Sequence, residues 1–225
     1  VCDVLTEAME KILHHPVMLF ASGRTDLGVN AMRQYAHFDT ERDIAPSKLC
    51  LGVNTKLPPD IALKECYQVP MDFDARKSVV SKTYLYKIYI SPTPSPLRQF
   101  THTQLYFPLN VDKMKQAASY LIGEHDFTAF MAAGAQVKTT VRTVFDIDIK
   151  SVGDEIHFEV SGNGFLYNMV RIIVGTLVKV GQEKIPPQQV KQMLDTKDRA
   201  LGGKTMAPQG LYLKCVKYPD KYGKI

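Results

Sequence analysis

The amino-acid sequence predicts an α+β protein made of two ferredoxin-like βαββαβ units side by side. Their strands are expected to form a mixed, mainly antiparallel sheet with a central cleft. Three observations carry this. Residues 82–218 read strand, helix, strand, strand, helix, strand, with one extra short helix before the last strand. Residues 2–70 read helix, strand, strand, helix, strand, so the first strand of the N-terminal unit is absent from the chain. Prolines at 92, 94 and 96 supply a bend in "SPTPSPLRQF". The expected domains are residues 1–81, a subdomain carrying the loop "SGRTDLGVNA", and residues 82–225, a subdomain with a proline-rich connection near 91–110.

In the first series, "CDVLTEAMEKILHH" places Val4, Leu5, Ala8, Met9 and Ile12 at helical spacing, with Asp3 as a cap. "VMLFAS" reads as a short buried strand and "QYAHFDT" as an alternating one. "PSKLCLGVNTKL" opens on Pro46, which suits the first turn of a helix. "DIALKECYQVP" reads as a strand ended by Pro70.

In the second series, "KTYLYKIYI" puts Tyr84, Tyr86, Ile88 and Ile90 on one face of a strand. "VDKMKQAASYLIG" is an amphipathic helix stopped by Gly123. "VRTVFDIDIKSV" and "DEIHFEVSG" form a hairpin across Gly153-Asp154. "FLYNMVRIIVGTLVKVG" is a buried helix, "PQQVKQMLDT" a short one, and "GLYLKCVKY" the last strand.

Composition excludes several classes. With 45% hydrophobic and 23% charged residues, the 225-residue chain can fill a core and is not a disordered one. The net charge of +5 leans towards polyanions such as nucleic acid. Cys2, Cys50, Cys66 and Cys215 are scattered, with no Cys-x-x-Cys pair, so reduced thiols are expected rather than zinc or disulfides. The most apolar run holds Arg171 and Lys179 within 17 residues, too short and too charged for a membrane span. No signal peptide is visible, and the absent strand is expected to precede Val1. The phosphate-loop and GxGxxG patterns are missing, so nucleotide binding is not expected, and no HExxH or EF-hand loop is present.

Chemistry concentrates at a few residues. Arg171 sits in an apolar helix and cannot shed its charge, so it needs a partner. Its head reaches solvent, holds a structural carboxylate, or pairs with an acid or anion in a cleft. Gly175, one turn on, leaves room for another backbone or a ligand. Asp26 follows a strand and precedes Gly28, which suits a turn in which the carboxylate accepts backbone N–H bonds. It also suits a carboxylate nucleophile with a cation beside it, a part that Arg171 could fill. Tyr84, Tyr86 and Tyr89 alternate with Lys82 and Lys87. Such tyrosines pack a core, or stack a flipped base while the lysines meet phosphates.

Six segments, in order, resemble one family: "SGRTDLGVNA", "FDARKSVVSKTYLYKIY", "LIGEHDFTAF", "VRTV", "GNGFLYNMVRIIVGTLVKVG" and "APQGLYLKCVKYP". They are similar to the motifs of the tRNA pseudouridine synthase A family, whose loop is commonly written G-R-T-D-A-G-V-H-A, and they span nearly the whole chain. The resemblance implies an isomerase that converts uridine to pseudouridine at positions 38, 39 and 40 of the tRNA anticodon stem-loop. It implies a cytoplasmic homodimer with no cofactor. It implies Asp26 as the catalytic aspartate, acting on C1′, on uracil C6 or on the C2′ proton. Arg24 would displace and hold the flipped uridine, Tyr84 would stack on the target base, Arg171 would pair with Asp26, and Leu213 would line the uracil pocket. The chain departs from the pattern at Leu27 (usually Ala), at Asn30 (usually His), in "FDAR" (often "FHAR"), and in lacking the family's opening strand with its Gly-Trp-Gln stretch. The alternatives are a catalytically silent tRNA-binding or folding module, which would drop the carboxylate, and a nucleosidase, which would release free uracil.

Overall fold

The helical spacing of residues 4–12 produces α1 (Cys2–Leu13), which ends at His14 in the left-handed conformation. The computed structural model of the chain describes residues 1–134 and 137–223. They pack as two units. The first comprises Val1–Arg24, Gln34–Val80 and the segment from Tyr218; the second comprises Thr25–Arg33 and Ser81–Lys217. Both Thr25–Arg33 and the segment from Tyr218 cross the division at 81/82 that the sequence suggests.

In the first unit α1 packs on α2 (Pro46–Asn54) around Ala8, Met9, Leu13, Val17, Leu49 and Val53. Strands β1 (Phe20–Ala21) and β3 (Ala36–His37) pair antiparallel as a two-stranded ribbon. The strand expected in "DIALKECYQVP" does not form. Instead the side chain of Asn54 accepts from Leu63 N (2.8 Å) and donates to Leu63 O (2.7 Å). One side-chain amide thus satisfies the backbone groups that a neighbouring strand would have taken. Asp74, the departure in "FDAR", accepts from Arg76 N and Lys77 N at 2.8 and 2.9 Å and closes a turn.

The second unit carries a seven-stranded mixed sheet. Its centre is β9 (Leu211–Lys217), β4 (Ser81–Ile90), β8 (Glu155–Gly162) and β7 (Val141–Val152), all antiparallel. With α3 (Val111–Ser119) after β4 and α4 (Met169–Gly181) after β8, this is the expected βαββαβ series. β7 and β8 turn at Gly153, whose φ of 62° suits glycine. Three strands were not expected. β2 (Asn30–Ala31) runs parallel to β9, and β5 (Thr103–Leu105) parallel to β4. β6 (Gly123–Asp126) extends the sheet beyond β7. Gly123 therefore both follows a helix and opens a strand, at a φ of 109°. Helix α5 (Gln188–Thr196) precedes the loop to β9.

The face of β4 that carries Tyr86 and Ile88 packs with Ile149, Phe158 and Val160 against α3 and α4, through Met114, Ile173 and Leu177. α4 is buried nearly all round, which explains its almost continuous apolar sequence. Among the described residues no helix is long and apolar enough to cross a membrane.

Candidate active site

Asp26 opens a four-residue turn closed by Val29 N–H donating to Asp26 O (3.0 Å). Gly28 takes the third position at φ 82°, where a side chain would be strained. A Cβ there would also lie 3.1 Å from Pro208 Cγ, so two demands meet at one glycine. Leu27, at the second position, is 97% exposed. The chain then enters β2, with Ala31 opposite Leu213, and Met32 N–H donates to Leu213 O (2.9 Å). Asn30 donates through Nδ2 to Phe100 O (3.1 Å) and Gln209 O (3.0 Å). The family's departure at this position thus ties the Asp26 loop to two other loops.

The main chain of Asp26 serves the turn, while its carboxylate points elsewhere. Oδ2 accepts from Arg171 Nη1 at 3.0 Å. Arg171 stands in the first turn of α4, with its side chain only 14% exposed. Its Nε donates to Met206 O at 2.6 Å, and Nη1 also donates to Asn168 Oδ1 at 2.6 Å. Of the three fates open to this arginine, reaching solvent is not the one taken: it pairs with a carboxylate, which fits a structural acid and an acid in a cleft alike. Gly175 provides the space: a Cβ there would fall 1.8 Å from Lys204 O. The close approach that this glycine suggests is therefore made by backbone, and it brings Met206 within reach of Arg171.

Tyr84 lies on β4 directly opposite Leu213 of β9 and Val160 of β8, so the three side chains share a face. A register shift at Lys214 falls beside this pair, a common device where a sheet re-aims side chains near a site. The Tyr84 ring meets Phe165 edge-on, with centroids 5.2 Å apart. Burial and then the negative charge of Asp26 push the Tyr84 phenol up to about 12, so it is a neutral donor at physiological pH. Leu213 is 1% exposed and sits beside Tyr84 on the neighbouring strand. Arg24 belongs to the first unit, is exposed, and has no ion pair among the described residues.

Asp26, Tyr84, Arg171 and Leu213 thus fall in one unit. The sequence analysis did not single out Asn168, Phe165 or the Met206 carbonyl. Asn168 had a legible signal, an asparagine just before a helix and three residues from its arginine. The Met206 carbonyl had none. Among the described residues no group of three His, Cys, Asp or Glu side chains could hold a metal ion.

Residues 117–219 match a family model described as tRNA pseudouridine synthase, a class of isomerases. Over 216 residues it is 44% identical to the tRNA pseudouridine synthase A of Geotalea daltonii, covering 96% of this chain and 88% of that one. The enzyme of the same name from Exiguobacterium sibiricum is 39% identical over 218 residues, 97% of this chain and 87% of that one. The one from Lactococcus lactis subsp. lactis is 43% identical over 221 residues, 94% and 87% respectively. The chain belongs to the tRNA pseudouridine synthase A family.

Proposed function

We propose that this chain isomerises uridine to pseudouridine in tRNA, at positions 38, 39 and 40 of the anticodon stem-loop, with Asp26 as the catalytic carboxylate. The observation that carries the reading is the Asp26 carboxylate held 3.0 Å from the Arg171 guanidinium. The reaction breaks the N1–C1′ bond, turns the uracil and joins C5 to C1′; the C5 proton leaves and N1 gains one. The atoms balance without oxidant, reductant or added water.

Each residue has a part in that sequence. Arg171 gives the Asp26 carboxylate its counter-charge in a half-buried setting, where such a pairing is stronger than in water. Tyr84 offers its ring to the extruded base, and its neutral phenol adds no charge beside Asp26. Leu213 closes the floor of the uracil pocket and keeps the free base from leaving. Arg24, exposed and without an ion pair among the described residues, takes the place vacated by the flipped uridine. The enzyme acts as a homodimer in the cytoplasm, whose reducing conditions suit its four free thiols. A monomer mass by light scattering would count against the dimer.

The decisive test is Asp26→Asn, which keeps the shape and removes the charge. Tritium release from C5-labelled uridine in tRNA is expected to vanish while tRNA binding persists. Wild-type release by this variant would falsify the assignment. Free uracil among the wild-type products would point to hydrolysis instead.

A further inference from the structure

Asn168 immediately precedes α4 with φ 59° and ψ 9°, in the left-handed region. An asparagine in this place ordinarily turns its side-chain oxygen onto the free N–H groups of the helix. Here it makes no such bond. Its Oδ1 accepts instead from Arg171 Nη1 at 2.6 Å, the same nitrogen that donates to Asp26 Oδ2 at 3.0 Å. That nitrogen carries two hydrogens, one for each acceptor. Met206 O takes the Nε hydrogen at 2.6 Å. Three acceptors in three directions fix the plane of the guanidinium. With Asn168 removed, two remain, and the group can pivot about the line joining Met206 O to Asp26. The amide oxygen is also neutral, so it orients the guanidinium without competing for its charge as a second carboxylate would.

We propose that Asn168 is a positioning residue for the isomerisation, giving up its helix-capping role to aim Arg171 at Asp26. The inference rests on the reading of Asp26 and Arg171 as the catalytic pair. The test is Asn168→Gly in the full chain. Glycine accepts a φ of 59° freely, so the fold is kept and the melting temperature is expected to stay level or rise. The kcat for pseudouridine formation in tRNA is expected to fall about tenfold with KM unchanged, the pattern of an interaction used only in the transition state. In an Arg171→Lys background, where the fork is gone, the same substitution is expected to cost less than about twofold. A residue needed only for its backbone conformation would leave kcat unmoved. A wild-type kcat in Asn168→Gly, or equal losses in both backgrounds, overturns the proposal. Asp26→Asn assayed alongside separates the two readings. If that variant is active, the catalytic assignment fails. If it is inactive and Asn168→Gly is normal, only the positioning role fails.

Discussion

Replacing Gly175 by Ala adds one methyl group at the tightest backbone crossing near the site. Its Cβ would stand 1.8 Å from Lys204 O and 3.3 Å from Met206 Cγ. Non-bonded carbon contacts settle at about 3.5 Å, so the 203–206 segment must retreat by roughly 1.5 Å. The obstacle is backbone, which cannot rotate away as the end of a side chain would. Gly203 confirms the crowding from the other side, since a Cβ there would lie 2.0 Å from Gly175 O. Alanine favours the helix over glycine by about 0.5–1 kcal/mol. Overpacking costs about 1–3 kcal/mol, and against a backbone obstacle its upper part (about 2–3 kcal/mol) applies, so the net is destabilising by roughly 1–2.5 kcal/mol. For a chain of this size that is a drop of about 2–10 °C in melting temperature. Activity should suffer more. Met206 holds Arg171 twice, through its O to Nε (2.6 Å) and its N to Arg171 O (3.2 Å). A misplacement of about 1 Å at such a site costs up to ~10²-fold in rate. Calorimetry and tritium release measure both effects. Gly52→Ala in α2 is the contrast: its Cβ would meet Ile12 Cγ2 at an ordinary 3.4 Å, so that variant should melt higher. A Gly175→Ala enzyme that melts no lower than the parent and keeps full kcat would refute the reasoning.

Asp126 accepts from Lys197 Nζ (2.7 Å) and from Thr128 N and Oγ1 (3.0 and 2.6 Å). Lys197 first, then the hydroxyls of Thr128 and Thr140, hold its carboxyl well below the usual range. A depressed native value stabilises above the unfolded value of about 3.9 and is lost as pH falls through the native one. Asp126→Asn should therefore melt lower than the parent at pH 7, with the gap closing as pH drops below about 4; a gap of constant size in acid would count against it. Burial, and next the neighbouring Cys50, push the Cys66 thiol up to about 12, so it stays protonated and unreactive at pH 8. Iodoacetamide should modify the exposed Cys2 in the folded protein and leave Cys66 intact by peptide mass mapping; equal labelling would be inconsistent with the packing.

What the sequence makes legible is what each segment dictates by itself. α1, β4, the β7–β8 hairpin and β9 carry their period in their own side chains, and α4 is marked by its almost continuous apolar run. β5 and β6 do not: three and four residues long, they are strands because β4 and β7 lie beside them. "DIALKECYQVP" reads as a strand, yet none results, because Asn54 takes the backbone groups of Leu63. The same divide runs through the site. An arginine in an apolar helix signals that a partner exists, from electrostatics alone. Which partner depends on a contact spanning 145 residues, and no local pattern encodes that. The ordered family motifs point to Asp26 where the physics of the helix leaves the choice open.

The turn expected at Asp26 forms, closed by its main-chain carbonyl rather than by its carboxylate, which meets Arg171. Both depend on the loop between α5 and β9, which has little regular structure of its own. Pro208 fills the space that Gly28 leaves open, Lys204 the space at Gly175, and Met206 O fixes the Arg171 side chain. Tyr86, fully buried, anchors the same loop through its hydroxyl to Ala207 O at 2.6 Å. One loop therefore touches the Asp26 turn at one residue and the Arg171 side chain at another. The packing of that loop bears on the distance between carboxylate and guanidinium, alongside the elements that carry the charges. Substitutions at 203–208 should accordingly act on catalysis without touching substrate, and Gly175→Ala probes that dependence from the helix side.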